Sequence, residues 1–357
     1  MLKSKNRIIN LSLGEPSANL PKIILKDISL KIQQRKMGYT ESLGFHSLRL
    51  KITEHYKKNY GLNIDASNVA VTAGASASIL MAMTALFETG DYIAISSPGY
   101  PCYRNIIRAL SLKEFIVETK IEDNFQLNHK NVEQLPARVK GLIISSPSNP
   151  TGSIIDNKTL KKIVEACKKR NITLISDEIY HGITFSKFKA NSILNYDKNG
   201  IVINSFSKYF LMTGWRLGWM IASKNTIDTI SKLAMNLYLC PSSISQYAAM
   251  EVFKYYPYFD KVTKDYYANR DIVLRELKKL GIKNYTVPYG AFYTYIDVSK
   301  LTNDSFKFCN NMLKDIQVTA APGIDFDQQF GNKFIRISFA GEKKDLQEAF
   351  KRINNWL

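Results

Sequence analysis

The chain has 357 residues, of which 45% are hydrophobic and 22% charged, a balance that permits a large buried core and excludes wholesale disorder. Its net charge is +18, but the basic residues are scattered, and the densest runs, Lys161-Lys and Lys168-Lys-Arg, fall on amphipathic helical stretches. Solvated helix faces explain that charge better than a nucleic-acid surface does, and no nucleic-acid partner is expected.

The length suits one large domain with a smaller companion. Cys102, Cys167, Cys240 and Cys309 form no CxxC pair, and no spacing suggests a disulfide framework or a metal site. No apolar run follows Met1-Leu-Lys-Ser-Lys-Asn-Arg, and none elsewhere reaches transmembrane length. A reducing, cytoplasmic setting without a membrane partner is the expectation.

In chain order, one helix-like stretch lies within the first 35 or so residues. Short apolar, β-branched runs then predict strands at Asn68–Thr72, Tyr92–Ser96, Glu114–Glu118, Leu142–Ser145, Thr173–Asp177, Ile201–Ser205 and Leu217–Ala222. Helical patterns separate them, as at Ser76–Phe87 and Lys158–Lys169. Near-continuous apolar strands alternating with helices predict a three-layer α/β unit around a mostly parallel seven-stranded sheet. Beyond about residue 225 the pattern changes to a long helical region over Ser245–Leu280. Strands Tyr285–Val298 and Lys333–Ala340 and helices Ser305–Lys314 and Lys343–Trp356 complete a smaller α+β unit. The expected division is 38–267 for the large domain, with 1–37 and 268–357 in the small one.

Open α/β sheets bind ligands beyond the carboxyl ends of their strands, and four polar motifs stand at such ends here. Val71-Thr-Ala-Gly-Ala-Ser opens a helix whose first N–H groups suit a phosphate, although a tight turn alone would also call for glycine. Ser145-Ser-Pro-Ser-Asn-Pro-Thr-Gly places Asn149 on a stiff turn. In Ile175-Ser-Asp-Glu-Ile-Tyr-His, Asp177 emerges from a buried strand and needs a cationic partner, from ligand or protein. Lys208 follows an apolar strand and sits among aromatic residues, where burial can lower an amine's pKa and make it a nucleophile. Ser205 and Ser207 flank it, and Arg216 lies eight residues on, able to hold a phosphate with its fork.

Together with Leu13-Gly-Glu-Pro, Gly38-Tyr-Thr, Pro98-Gly-Tyr, Gly290-Ala-Phe-Tyr, Ala321-Pro-Gly and Arg336-Ile-Ser-Phe, these motifs resemble the fold-type I, class I/II aminotransferases. The resemblance covers nearly the whole chain, runs in family order, and is nearest to the prokaryotic branch of the aspartate-aminotransferase-like group. It implies pyridoxal 5'-phosphate as cofactor and a ping-pong transfer of an amino group between an L-amino acid and a 2-oxo acid, aspartate or a broad range of substrates included. A C–S lyase or another non-transaminating enzyme of the same fold type is the alternative.

The resemblance also implies roles. Lys208 would carry the cofactor as a Schiff base and shuttle the proton. Asp177 would pair with the pyridine nitrogen, and Tyr180 and Asn149 with the phenolic oxygen. Tyr100 would stack on the ring. Ala75, Ser76, Ser205, Ser207 and Arg216 would surround the phosphate. Gly14, Asn149 and Arg336 would receive the substrate carboxylate. Tyr39 would reach the phosphate of a neighbouring subunit, so a homodimer is implied. The stretch Leu239-Cys-Pro-Ser-Ser lacks the arginine that one dicarboxylate-preferring branch often uses, from the neighbouring subunit, for a distal carboxylate; aspartate is not thereby excluded, because the prokaryotic branch holds it by other means.

Overall fold

The computed structural model describes residues 7–185 and 190–357. Seven strands form the main sheet: β1 (Val69–Thr72), β2 (Tyr92–Ser97), β3 (Lys113–Glu118), β4 (Val139–Ser145), β5 (Thr173–Asp177), β6 (Ile201–Ser205) and β7 (Gly218–Ile221). Their order is β1-β7-β6-β5-β4-β2-β3. β7 alone runs antiparallel to its neighbours, with Gly218 opposite both Thr72 and Ser205. Residues in β1, β6 and β7 are buried throughout, the pattern of strands covered on both faces. The predicted strands are present, with no end moved by more than three residues. The sheet is the mixed, mostly parallel one expected.

β7 has a direct consequence for the site. The chain leaves the sheet at Ser205 and re-enters it, reversed, at Gly218. Both ends of segment 206–217 therefore lie at the carboxyl edge of the parallel strands, and the segment delivers Lys208 and Arg216 to the same place.

A second, antiparallel sheet has the order β9 (Ala321–Pro322), β10 (Phe334–Ser338), β8 (Tyr293–Asp297). Helix Ser305–Ile316 and the closing helix Lys343–Trp356, whose bounds match those read from the sequence, pack beside it. Ile9–Asn10 pairs in parallel with Val318–Thr319, while helix Lys22–Gln33 lies on helix Ser243–Val252.

Two expectations need correction. The helical region 245–280 is two helices, Ser243–Val252 and Tyr256–Lys279; Pro257, with no N–H to donate, starts the second rather than continuing the first. The strand expected from Tyr285 begins only at Tyr293, because Pro288 and Gly290 interrupt the ladder and leave Tyr285 in an isolated bridge to Ile296. Among the described residues, no helix is long and apolar enough to cross a membrane.

Candidate active site

A cavity of about 370 Å³, within the range of small-molecule sites, opens at the carboxyl ends of the parallel strands. Its wall includes Gly14, Ala75, Ser76, Tyr100, Asn149, Asp177, Tyr180, Ser207, Lys208, Arg216 and Arg336. Residues spread over more than 300 positions of the chain thus converge. Two of the expected residues stand apart. Ser205 is buried behind the wall, its hydroxyl donating to the Leu217 carbonyl at 3.0 Å and lying 2.9 Å from Ser207 Oγ, which can donate to it. Tyr39 is 86% exposed and lies outside the cavity of its own subunit.

At one end is an anion cradle. Helix Ala75–Leu86 begins at Gly74, whose φ is +85°. Its first-turn N–H groups have no carbonyl within the helix to bond and carry the positive end of the helix dipole. Arg216 adopts φ 51°, a conformation that costs a side-chain-bearing residue about 1–2 kcal/mol, and turns its guanidinium back over that helix start. Nη1 donates to the Thr213 carbonyl at 3.0 Å, and the described residues give Arg216 no acidic partner. A Cβ on Gly74 would sit 2.8 Å from Arg216 Nη2. One on Gly218 would sit 2.9 Å from Ala75 N. Only glycine at both positions lets cradle and guanidinium close on one another. Gly74→Ala should therefore weaken phosphate-dependent cofactor binding by about tenfold, the loss of about one charged hydrogen bond, in an equilibrium titration against the wild type.

At the other end Asp177 is buried. Oδ2 accepts from Tyr103 at 2.5 Å and Oδ1 from the Ile179 N–H at 3.1 Å. Burial raises its pKa more than these donors and nearby Lys208 lower it, so the carboxylate is short of a cation. Tyr180 accepts or donates a 2.7 Å bond with Tyr293.

Between the ends lies Lys208, whose Nζ donates to the Gly14 carbonyl at 2.5 Å. Burial, then the charge of Arg336, lowers its pKa to about 8. A good fraction is then neutral, and hence nucleophilic, near physiological pH. Arg336 is 6% exposed and has no carboxylate partner among the described residues. Its Nη1 donates to Asn149 Oδ1 at 2.8 Å, its Nη2 bonds the Ser12 carbonyl, and its Nε is buried without a partner. Tyr293 and Phe326 pack against the guanidinium at 4.3 and 4.8 Å. A buried guanidinium in that state suits a ligand carboxylate.

The same wall holds residues the sequence reading did not single out: Glu15, Ile79, Tyr103, Ser145, Ile179, Thr213 and Tyr293. Glu15 Oε1 accepts from Thr213 Oγ1 at 2.6 Å. Tyr293 lay in a quoted motif and Tyr103 three residues after Tyr100, but neither spacing says where a hydroxyl points.

A nucleophilic amine between an anion cradle and a cation-seeking carboxylate, with a carboxylate-ready arginine above, defines an enzyme that works on amino acids through a phosphorylated carbonyl cofactor. The family described as aminotransferase class I and II matches residues 6–353. Over 98% of this chain and 91% of its own length, the valine–pyruvate aminotransferase of Mycobacterium tuberculosis is 38% identical. An aspartate aminotransferase of Thermotoga maritima is 32% identical over 100% of this chain and 93% of its own. A crystal structure of an aminotransferase from Mycobacterium tuberculosis superposes with a TM-score of 0.96 at 37% identity, covering 99% of this chain and 92% of that one. The chain belongs to the class I and II aminotransferases and is a pyridoxal-phosphate-dependent transaminase.

Proposed function

We propose that this aminotransferase takes its amino group from a neutral L-amino acid and passes it to a 2-oxo acid. The observation that carries the substrate class is the count of cavity cations. Lys208, Arg216 and Arg336 line the wall, and no further Lys or Arg does so among the described residues. With Arg216 given to the phosphate and Arg336 to the α-carboxylate, none is left for a distal carboxylate. The 38% identity to a valine–pyruvate enzyme supports the same reading.

The residues fit the cofactor. Ala75, Ser76, Ser207 and Arg216 would hold its phosphate, with Ser205 bracing Ser207 from behind. Asp177 would hold the ring nitrogen, and Tyr180 and Asn149 the phenolic oxygen, while Tyr100 would cover the ring. Lys208 Nζ would bond covalently to its aldehyde carbon. Once bound, pyridoxal phosphate supplies an electron-accepting ring conjugated to the carbon that receives the amino group. The amine of Lys208, when free, would be the base that removes the Cα proton and the acid that returns it. Arg336 and the Gly14 segment fix the carboxylate so that the Cα–H bond faces that amine.

The same reading assigns 38–267 to a cofactor-holding domain, and 1–37 with 268–357 to one that brings Gly14 and Arg336. It also makes the working unit a homodimer. Met37, Tyr39, Leu237 and Leu239 are all exposed, and Thr40 N–H meets Cys240 Sγ at 3.3 Å, joining their two segments into one apolar strip. Tyr39 would reach the neighbour's phosphate from that strip.

The test is a half-reaction screen. Single amino acids are added to the holoenzyme without an acceptor, and loss of the visible cofactor band is timed. Valine or alanine should discharge the band at least about tenfold faster than aspartate or glutamate, the effect of one unmatched charge. Preference for aspartate would overturn the substrate class. Ammonia release without loss of the band would overturn transamination.

A further inference from the structure

Glu178 adjoins Asp177 just beyond the end of β5, and its carboxyl group is 1% exposed. Oε1 accepts from Ser176 Oγ at 3.2 Å, from Ser192 Oγ at 3.0 Å and from the Ile193 N–H at 3.0 Å. Oε2 is buried with no hydrogen-bond partner and lies 3.4 Å from Nδ1 of His181, whose ring is equally buried. His181 Nε2 faces the Ser146 carbonyl at 2.9 Å. A carbonyl only accepts, so Nε2 carries a hydrogen in every protonation state compatible with that bond. Nδ1 also meets the Tyr60 hydroxyl at 2.9 Å.

One proton therefore has two places to go. Either Glu178 is a carboxylate facing an imidazolium, or it is a carboxylic acid facing a neutral imidazole; with that proton lost altogether, Oε2 would be a buried anionic oxygen with no donor. The groups around the pair are Asp177, Tyr56 and Tyr60, with His55 beside them, and none of these supplies a fixed positive charge. An ion pair out of water loses more hydration than a contact of this length returns. Burial raises the Glu178 pKa to about 8 and lowers that of His181 to about 4. Both shifts point the same way.

We propose that Glu178 is a neutral carboxylic acid that positions the active site, its proton on Oε2 directed at His181 Nδ1, so that of the two adjacent carboxyl groups only Asp177 is charged. Its three accepted bonds hold the end of β5 to the turn at Ile193–Asn195. The carboxyl lies against His181, whose Nδ1 also accepts from the Tyr60 hydroxyl, and the Nε2 of His181 holds the Ser146 carbonyl in the segment that carries Asn149. A charge on Glu178 would raise the proton affinity of Asp177. The proposal rests on Asp177 pairing with the cofactor's ring nitrogen.

The experiment compares wild type, Glu178→Gln and Glu178→Ala. In infrared spectra of the wild-type holoenzyme at neutral pH, a protonated-carboxyl band is expected, and it should be absent from Glu178→Gln. Absence from the wild type, or persistence in the variant, would overturn the proposal. Gln keeps an acceptor at Oε1 and a donor at the other position. Glu178→Gln should therefore hold kcat, KM and the pH midpoint of the visible band within about twofold or its equivalent, whereas Glu178→Ala should lose about tenfold in cofactor affinity. A Gln variant that behaves like Ala, or whose midpoint moves as if a charge had been removed, also overturns it. Asp177→Asn tests the ring-nitrogen assignment and leaves the Glu178 band in place, so the two ideas fail separately.

Discussion

Lys208→Ala should abolish transamination, lowering kcat by at least about 10⁴-fold, because under the proposed function the same amine would hold the cofactor and move the Cα proton. The loss should not be a folding defect. Lys208 makes one side-chain hydrogen bond, to the Gly14 carbonyl, and the aromatic packing behind it belongs to Phe206, Phe210 and Trp219. Thermal unfolding of the variant should therefore match the wild type while its activity is gone. The lowered pKa adds a pH signature. Only the neutral amine attacks an aldehyde, so the rate of cofactor uptake by the cofactor-free protein should rise about tenfold per unit as pH climbs toward about 8 and flatten above it. Stopped-flow mixing with pyridoxal phosphate measures it. A midpoint at the ordinary lysine value would show that burial does not tune this amine.

Arg336→Gln should raise KM for both substrates about 100-fold or more while leaving the cofactor's visible band in place. Each hydrogen bond to a charged group contributes about 1.5–3 kcal/mol, and the fork offers two. Gln can still meet Asn149, so the neighbours remain ordered. Arg336→Lys should recover little, because a point charge cannot form the planar pair. Steady-state kinetics beside cofactor titration separates this from a general disturbance. Equal loss of both would place Arg336 in cofactor binding instead.

The sheet was legible because its central strands are buried on both faces and its helices are not. Thr173–Asp177 and Ile201–Ser205, with apolar, β-branched cores and polar carboxyl ends, have the same bounds in the sequence reading and in the structure. Where sequence reading went astray, local propensity hid a break: residues between Ser245 and Leu280 are good helix formers on either side of Pro257. At the site, Lys208 and Asp177 stand out in the sequence because motif and strand end coincide, whereas Arg336, in mid-strand, stands out by its motif alone. Depth was not readable. Whether Ser205 or Ser207 faces the cavity depends on one hydroxyl's rotation and on the Leu217 carbonyl twelve residues away. Segment 12–15 illustrates the same limit. Its carbonyls meet Arg336 and Lys208, and Glu15 meets Thr213, all through tertiary contacts that no local pattern encodes.

The reversed strand β7 turns the sheet into a ruler. Lys208 stands three residues past Ser205, Arg216 two before Gly218, and Ser205 and Gly218 are paired across one rung of the ladder. Thr72, on the far side of Gly218, ties the helix start to the same rung. The span between amine and phosphate seat is thus held by backbone register rather than by side-chain reach. Under the roles proposed for Lys208 and the helix start at Ala75, that register sets how far apart an aldehyde and an anionic group must lie to meet both ends.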